Sequence, residues 1–69
     1  MAKARIHNRV KALREAKGIT QADLAAVCGC TRQTIIMLEQ ERYVPSLSLA
    51  FAVARALAVR IEDVFTPAK

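Results

Sequence analysis

Residues 21–39, QADLAAVCGCTRQTIIMLE, constrain the fold more than any other stretch of this chain. Two short helical segments lie there on either side of Gly29, a residue free to take the positive φ that a sharp reversal needs. Two helices can cross at a steep angle through so short a turn only if their contact side is small, and Ala25 is small where it must be. Thr20 and Thr31 each precede a segment as N-cap residues, and Asp23 adds negative charge to the first turn of the segment Gln21–Cys28. Leu24, Ala25 and Cys28 form the inward side of the first helix, and Cys30, Ile35 and Leu38 face inward around the second, which should end near Gln40. Thr31, Arg32, Gln33 and Thr34 are left as a polar exposed edge.

The rest of the chain supplies elements that such a pair can pack against. Ile6, Val10, Leu13 and Lys17 stand at helical spacing and predict a first helix over residues 6–17, ended by Gly18. Residues 42–45 read as a loop that tolerates Pro45. Ser46 caps a further helix over residues 47–58, whose Leu47, Ala50, Val53, Ala54 and Leu57 describe a stripe wide enough to close a core. A last turn, Ile61–Val64, is preceded by Val59 and Arg60 and so lacks a good cap residue. The expected fold class is all-α: a compact bundle of four to five short helices containing a helix-turn-helix, one domain over residues 1–69. Three courses are open to the basic N-terminal arm. It is disordered, it follows a nucleic-acid backbone, or it pairs as one strand of a short two-stranded β ribbon with the segment around Phe65.

A chain of 69 residues holds one core and no separate effector domain. The net charge of +5 favours a polyanionic partner, and its placement says more than its size. Lys3, Arg5, Arg9, Lys11, Arg14 and Lys17 face Glu15 alone in the first 17 residues, and beyond them acids and bases balance. A membrane surface is a poor match for that segment, because its helix carries only Ile6, Val10 and Leu13 as large apolar residues. The N-terminus has no apolar signal stretch and no run is long enough to span a bilayer, so a soluble, cytoplasmic protein is expected. Cys28 and Cys30 have no second pair to complete a metal set, and His7, the single histidine, has no ligand partner at useful spacing. No metal, cofactor or small-molecule ligand is expected. An enzyme is excluded on the same grounds: one histidine, no paired carboxylates and no glycine-rich phosphate loop. The cysteines read as small core residues rather than a redox switch.

The exposed edge suits a DNA major groove, because glutamine pairs bidentately with adenine and arginine with guanine. Gln21, at a helix N-terminus, is placed to bring its amide and the nearby backbone N–H groups against a phosphate. Lys3 and Arg5 offer unspecific phosphate attraction or no role, and Arg9 either lies near a backbone or is solvated.

The pieces NRVKALREAKGITQADLA (residues 8–25), TRQTI (31–35), LE (38–39) and RYVPSLSLA (42–50) closely resemble the Cro/CI-like, or XRE-type, helix-turn-helix regulators, over nearly the full chain. That resemblance implies a lambda-repressor-like fold of five helices, usually a two-fold dimer on a roughly palindromic operator in double-stranded DNA. It implies DNA contact at Gln21, Thr31, Arg32, Gln33 and Thr34, with Arg42 and Tyr43 on a loop that approaches the backbone. It also implies an internal ion pair between Arg14 and Glu39. Ile36 and Met37 stand on the outer side of the second helix where relatives often carry polar residues, so Met37 joins the contact set through thymine methyls. Cys28 and Cys30 also depart from the usual residues. Leu49, Phe51, Val59, Val64 and Phe65 exceed what the inner stripe needs and are expected at a homodimer interface, since related short regulators dimerise near this end. A sequence-specific regulator, a repressor rather than an activator, is the reading that follows. The rivals are an antitoxin, which usually needs a toxin-binding segment beyond Phe65, and a restriction-modification controller protein using the same domain.

Overall fold

The computed structural model describes residues 5–67; Lys3 and both chain ends lie outside the described residues. Five helices run between two short strands: β1 Ile6–Asn8, α1 Val10–Ala16, α2 Gln21–Cys28, α3 Arg32–Glu39, α4 Leu47–Ala56, α5 Ile61–Val64 and β2 Phe65–Pro67. The strands pair antiparallel, with Ile6 opposite Pro67, His7 opposite Thr66 and Asn8 opposite Phe65. Of the three courses open to the arm, the described part takes the ribbon.

The first helix is therefore shorter than residues 6–17, and the cause is Asn8. Its side-chain oxygen accepts from the Val10 backbone N–H at 3.1 Å, while its amide donates to the Leu38 carbonyl at 2.8 Å. An asparagine that bonds the backbone two residues on holds the chain in a turn instead of a helix. Ile6 is left in the strand.

Caps set the other helix starts. Thr20 Oγ1 accepts from the Asp23 N–H at 3.0 Å and the Asp23 carboxylate accepts from the Thr20 N–H at 3.3 Å, a reciprocal capping box. Thr31 and Ser46 accept from the N–H groups of Thr34 and Leu49. At α5, Asp63 makes up for the missing cap residue, because its carboxylate reaches back to the Arg60 backbone N–H at 3.1 Å. The same carboxylate binds the Arg60 guanidinium.

Helices α1 to α4 end alike. Gly18, Gly29, Glu41 and Ala58 each have positive φ, and in each case the next residue's N–H closes onto the helix five residues back, at Arg14, Ala25, Met37 and Ala54. Two of those positions hold the glycine that the geometry favours and two do not.

The core gathers Val10, Leu24, Ala25, Ile35, Leu38, Val53, Ala54, Leu57 and Val64. Helix α2 packs on both α3 and α4, and α1 crosses behind α3. Leu24, Ile35, Leu38 and Leu57 are fully buried, each side chain contributing about 1.5–3 kcal/mol by leaving water. Leu47 departs from its expected place in the α4 stripe. It stands at the first helical position, beyond the reach of the core, and is 70% exposed. Cys28 and Cys30 are free thiols, half-buried against the same core. Burial pushes both thiols above their ordinary range, which favours the unreactive protonated form. No helix of the described residues is long and apolar enough to cross a membrane.

Candidate nucleic-acid interface

Helix α3 is capped at its start and tied to α1 and α2 at its end, and it presents one polar edge outward. At its start, Thr31 and Thr34 are linked twice: the Thr34 N–H donates to Thr31 Oγ1 at 3.2 Å, and the hydroxyls lie 3.1 Å apart. Thr34 is half-buried and its hydroxyl is already engaged, whereas Thr31, Arg32 and Gln33 are exposed. Gln33 has no protein partner among the described hydrogen bonds. Its amide keeps both donor and acceptor free for a base edge. Met37, one turn on, is 37% exposed, while Ile36 is half-buried.

At the far end of α3 the Glu39 carboxylate collects three groups. Arg14 Nε donates to Oε2 at 2.7 Å, Arg14 Nη2 to Oε1 at 3.3 Å, and Gln21 Nε2 to Oε1 at 3.1 Å. The remaining Arg14 nitrogen, Nη1, donates to the Ile19 carbonyl at 2.9 Å, so the guanidinium bridges α1, the α1–α2 turn and α3. Both charged side chains are nearly enclosed, at 10% and 4% exposure. The hydrogen bond to Glu39 outweighs the cost of burial and raises the Arg14 guanidinium above its already high ordinary value. Among the described residues no buried side-chain nitrogen or oxygen is left without a partner.

One Gln21 amide hydrogen is given to Glu39, and the second donor has no partner among the described hydrogen bonds. Gln21 and Arg32 line one shallow recess together with Thr20 and Arg14, so the start of α2 and the start of α3 open onto a common surface. Arg42 and Tyr43 are exposed on the α3–α4 loop and line a second groove, whose other wall is Arg5, Ile6 and His7 of the N-terminal strand. A shape with donors at two helix starts, one free amide between them and cations on the flanks suits a grooved polyanion.

Of the residues expected at a dimer interface, Phe51 and Val59 line one shallow recess and Phe65 lines another. Val64 is 1% exposed and belongs to this chain's own core, so it is withdrawn from that set. Leu49, Val59 and Phe65 are half-buried against the core, and Phe51 alone stands well out, on the outer side of α4. Exposed Val44 and Leu47 border an apolar recess completed by Ile6, Pro45, Ala50 and Phe65.

Two residues of the groove beside the loop, His7 and Glu41, and Asn8 bonded to Glu41, have no place in the site as read from the sequence. His7 is exposed, yet its Nδ1 lies 3.0 Å from Glu41 Oε1. Asn8 did carry a signal, since asparagine just before a helix is a turn former. The His7 and Glu41 partnership carried none, because 33 residues separate them in the chain.

Comparison with known proteins places the arrangement. The helix-turn-helix family model HTH_3 matches residues 10–64. An uncharacterized HTH-type transcriptional regulator of Methanocaldococcus jannaschii is 48% identical over 58 residues, covering 84% of this chain and 88% of that protein. The immunity repressor protein of Bacillus phage phi105 is 36% identical over 59 residues, 86% of this chain and 41% of the repressor. Among solved structures, the restriction-modification controller protein C.AhdI from Aeromonas hydrophila superposes with a TM-score of 0.74 at 30% identity, covering 78% of this chain and 82% of its own.

Proposed function

Because the chain belongs to the helix-turn-helix family, in its Cro/CI-like (XRE-type) branch of transcriptional regulators, we propose that it binds specific sites in double-stranded DNA and regulates transcription from them in the cytoplasm. The observation that carries this reading is the free amide of Gln33, exposed on a helix whose two ends are fixed by other side chains. In the proposed complex α3 enters the major groove. Arg32 and Gln33 meet base edges, Met37 meets thymine methyls, and Thr31 and Thr34 hold the helix start. Gln21, Arg42 and Tyr43 contact phosphates and set the register without reading sequence.

The operator is read by a homodimer, and its palindrome mirrors the two-fold axis. Occupancy represses by excluding polymerase, a reading supported by the likeness to a phage immunity repressor. A second reading, a restriction-modification controller protein, is favoured by the likeness to C.AhdI. It uses the same DNA chemistry and differs in the genes controlled.

Selection of bound sites from random DNA tests the proposal. A palindromic consensus with half-sites one helical turn apart is expected. Gln33→Ala should lose discrimination at one base pair per half-site, by about 1–3 kcal/mol on the preferred site, while leaving the other positions alone. An unchanged preference would remove α3 from the role of reader.

A further inference from the structure

Glu41 stands where two other helices of this chain place glycine. It is the residue after the α3 cap, its φ is +61°, and the helix closes around it through Glu41 N–H to Leu38 O and Arg42 N–H to Met37 O, each at 3.0 Å. Gly18 and Gly29 occupy the same position after α1 and α2 with φ +71°. A side chain in this backbone region is strained, and such strain persists only where neighbouring contacts hold it. Those contacts are made by the carboxylate that glycine lacks. Oε1 lies 3.0 Å from His7 Nδ1, and Oε2 accepts from the Asn8 backbone N–H at 3.0 Å. The Asn8 amide then reaches the Leu38 carbonyl at 2.8 Å. Strand β1 is therefore tied to the last turn of α3 at three points, directly before Arg42 and Tyr43.

We propose that His7, Asn8 and Glu41 form a clasp that positions the α3–α4 loop, so that the terminal ribbon sets how Arg42 and Tyr43 meet the DNA backbone. The proposal rests on the reading of that loop as a phosphate contact. None of the three clasp residues touches DNA in it; they are positioning residues acting through Arg42. The groups around the clasp are Arg5 on β1, which adds a favourable charge, and Arg42 and Tyr43 on the loop. Strand β2 offers Phe65, Thr66 and Pro67 and no charge. The hydrogen bond from His7, then the one from Asn8, hold the Glu41 carboxyl below the usual carboxylate range, so it remains ionised through neutral pH. With Glu41 ionised, the hydrogen bond it accepts from His7 is charge-assisted, which strengthens the clasp.

Two measurements test the clasp. In the free protein, His7→Ala should shift the backbone amide resonances of Asn8, Arg42 and Tyr43 together, and should shift them far less in a Glu41→Gln background. Amides that ignore His7→Ala, or that shift equally in Glu41→Gln, overturn the proposal whether or not DNA is bound. On a site selected from random DNA, His7→Ala should weaken binding about fivefold and have almost no effect in an Arg42→Ala background, the non-additivity of groups that act through one another. Equal losses in both backgrounds would mean that the clasp does not act through the loop. If the wild-type chain selects no site at all, the functional reading fails, and the amide measurement still decides the clasp.

Discussion

At Glu39 one carboxylate answers donors from Arg14 and Gln21, and this explains why a charged pair is tolerated almost wholly inside so small a protein. Desolvating two charges costs several kcal/mol, and only close geometry with every remaining donor satisfied offsets it. Removing one partner leaves the other buried and uncompensated. Glu39→Ala should therefore lower unfolding stability by about 3–5 kcal/mol in a denaturant titration, much more than a surface charge change. An unchanged midpoint would mean that water enters and solvates Arg14 freely. Acid acts on different residues. Glu41 and Asp63 are each held below the usual carboxylate range by hydrogen bonds, from His7 and Arg60 foremost. A depressed carboxylate stabilises the fold above its unfolded value and loses that contribution as pH falls through the folded one. Stability should thus begin to fall below about pH 4–4.5 and keep falling with further acid, in thermal melts at stepped pH. Glu41→Gln should blunt the fall.

The elements end by a shared device, and the two places without glycine behave differently. Glu41 has a carboxylate that fastens it to β1, so its side chain is used. Ala58, with φ +58° after α4, has only a methyl group that is exposed. Ala58→Gly should raise stability by about 0.5–1 kcal/mol, because the left-handed strain removed exceeds the backbone freedom that glycine gains when unfolded. A loss of stability on thermal melting would show that α4 relaxes around alanine without strain. Helix α2 illustrates the opposite balance. Its Thr20–Asp23 box and Gly29 satisfy both ends locally, so its bounds follow from the residues written there.

For the whole molecule, the proposed homodimer calls for an apolar face on which two copies could meet. Among the described residues, the large aliphatic, methionine and phenylalanine side chains left exposed are Val27, Met37, Val44, Leu47 and Phe51, and of these only Phe51 belongs to the set expected at a dimer interface. The expectation that Val64 meets a partner rests on apolar residues in excess of the inner stripe and on where related short regulators dimerise, and neither gives an apolar residue its destination within the chain. The ribbon supplied that destination by folding β2 back beside β1 and sealing Val64 beneath it. On the homodimer reading, Phe51→Glu should shift sedimentation toward monomer and weaken operator binding. A monomer already present at micromolar concentration, with none paired on DNA, would overturn the dimer instead.

Local chemistry was legible in the chain. The two threonine caps, the glycine turns, the buried faces of α2 and α3 and the exposed Arg32 and Gln33 all follow from residue types at fixed short spacing, because helix starts, stops and faces are decided within a few residues. The inward turn of Val64, the outward one of Leu47, the strand in place of the first turn of α1 and the His7–Asn8–Glu41 clasp were decided by tertiary structure. Each depends on which distant segment comes to lie alongside. A strand forms at Ile6–Asn8 only because Phe65–Pro67 arrives to share its hydrogen bonds, and a glutamate endures a left-handed backbone only because β1 is there to hold it.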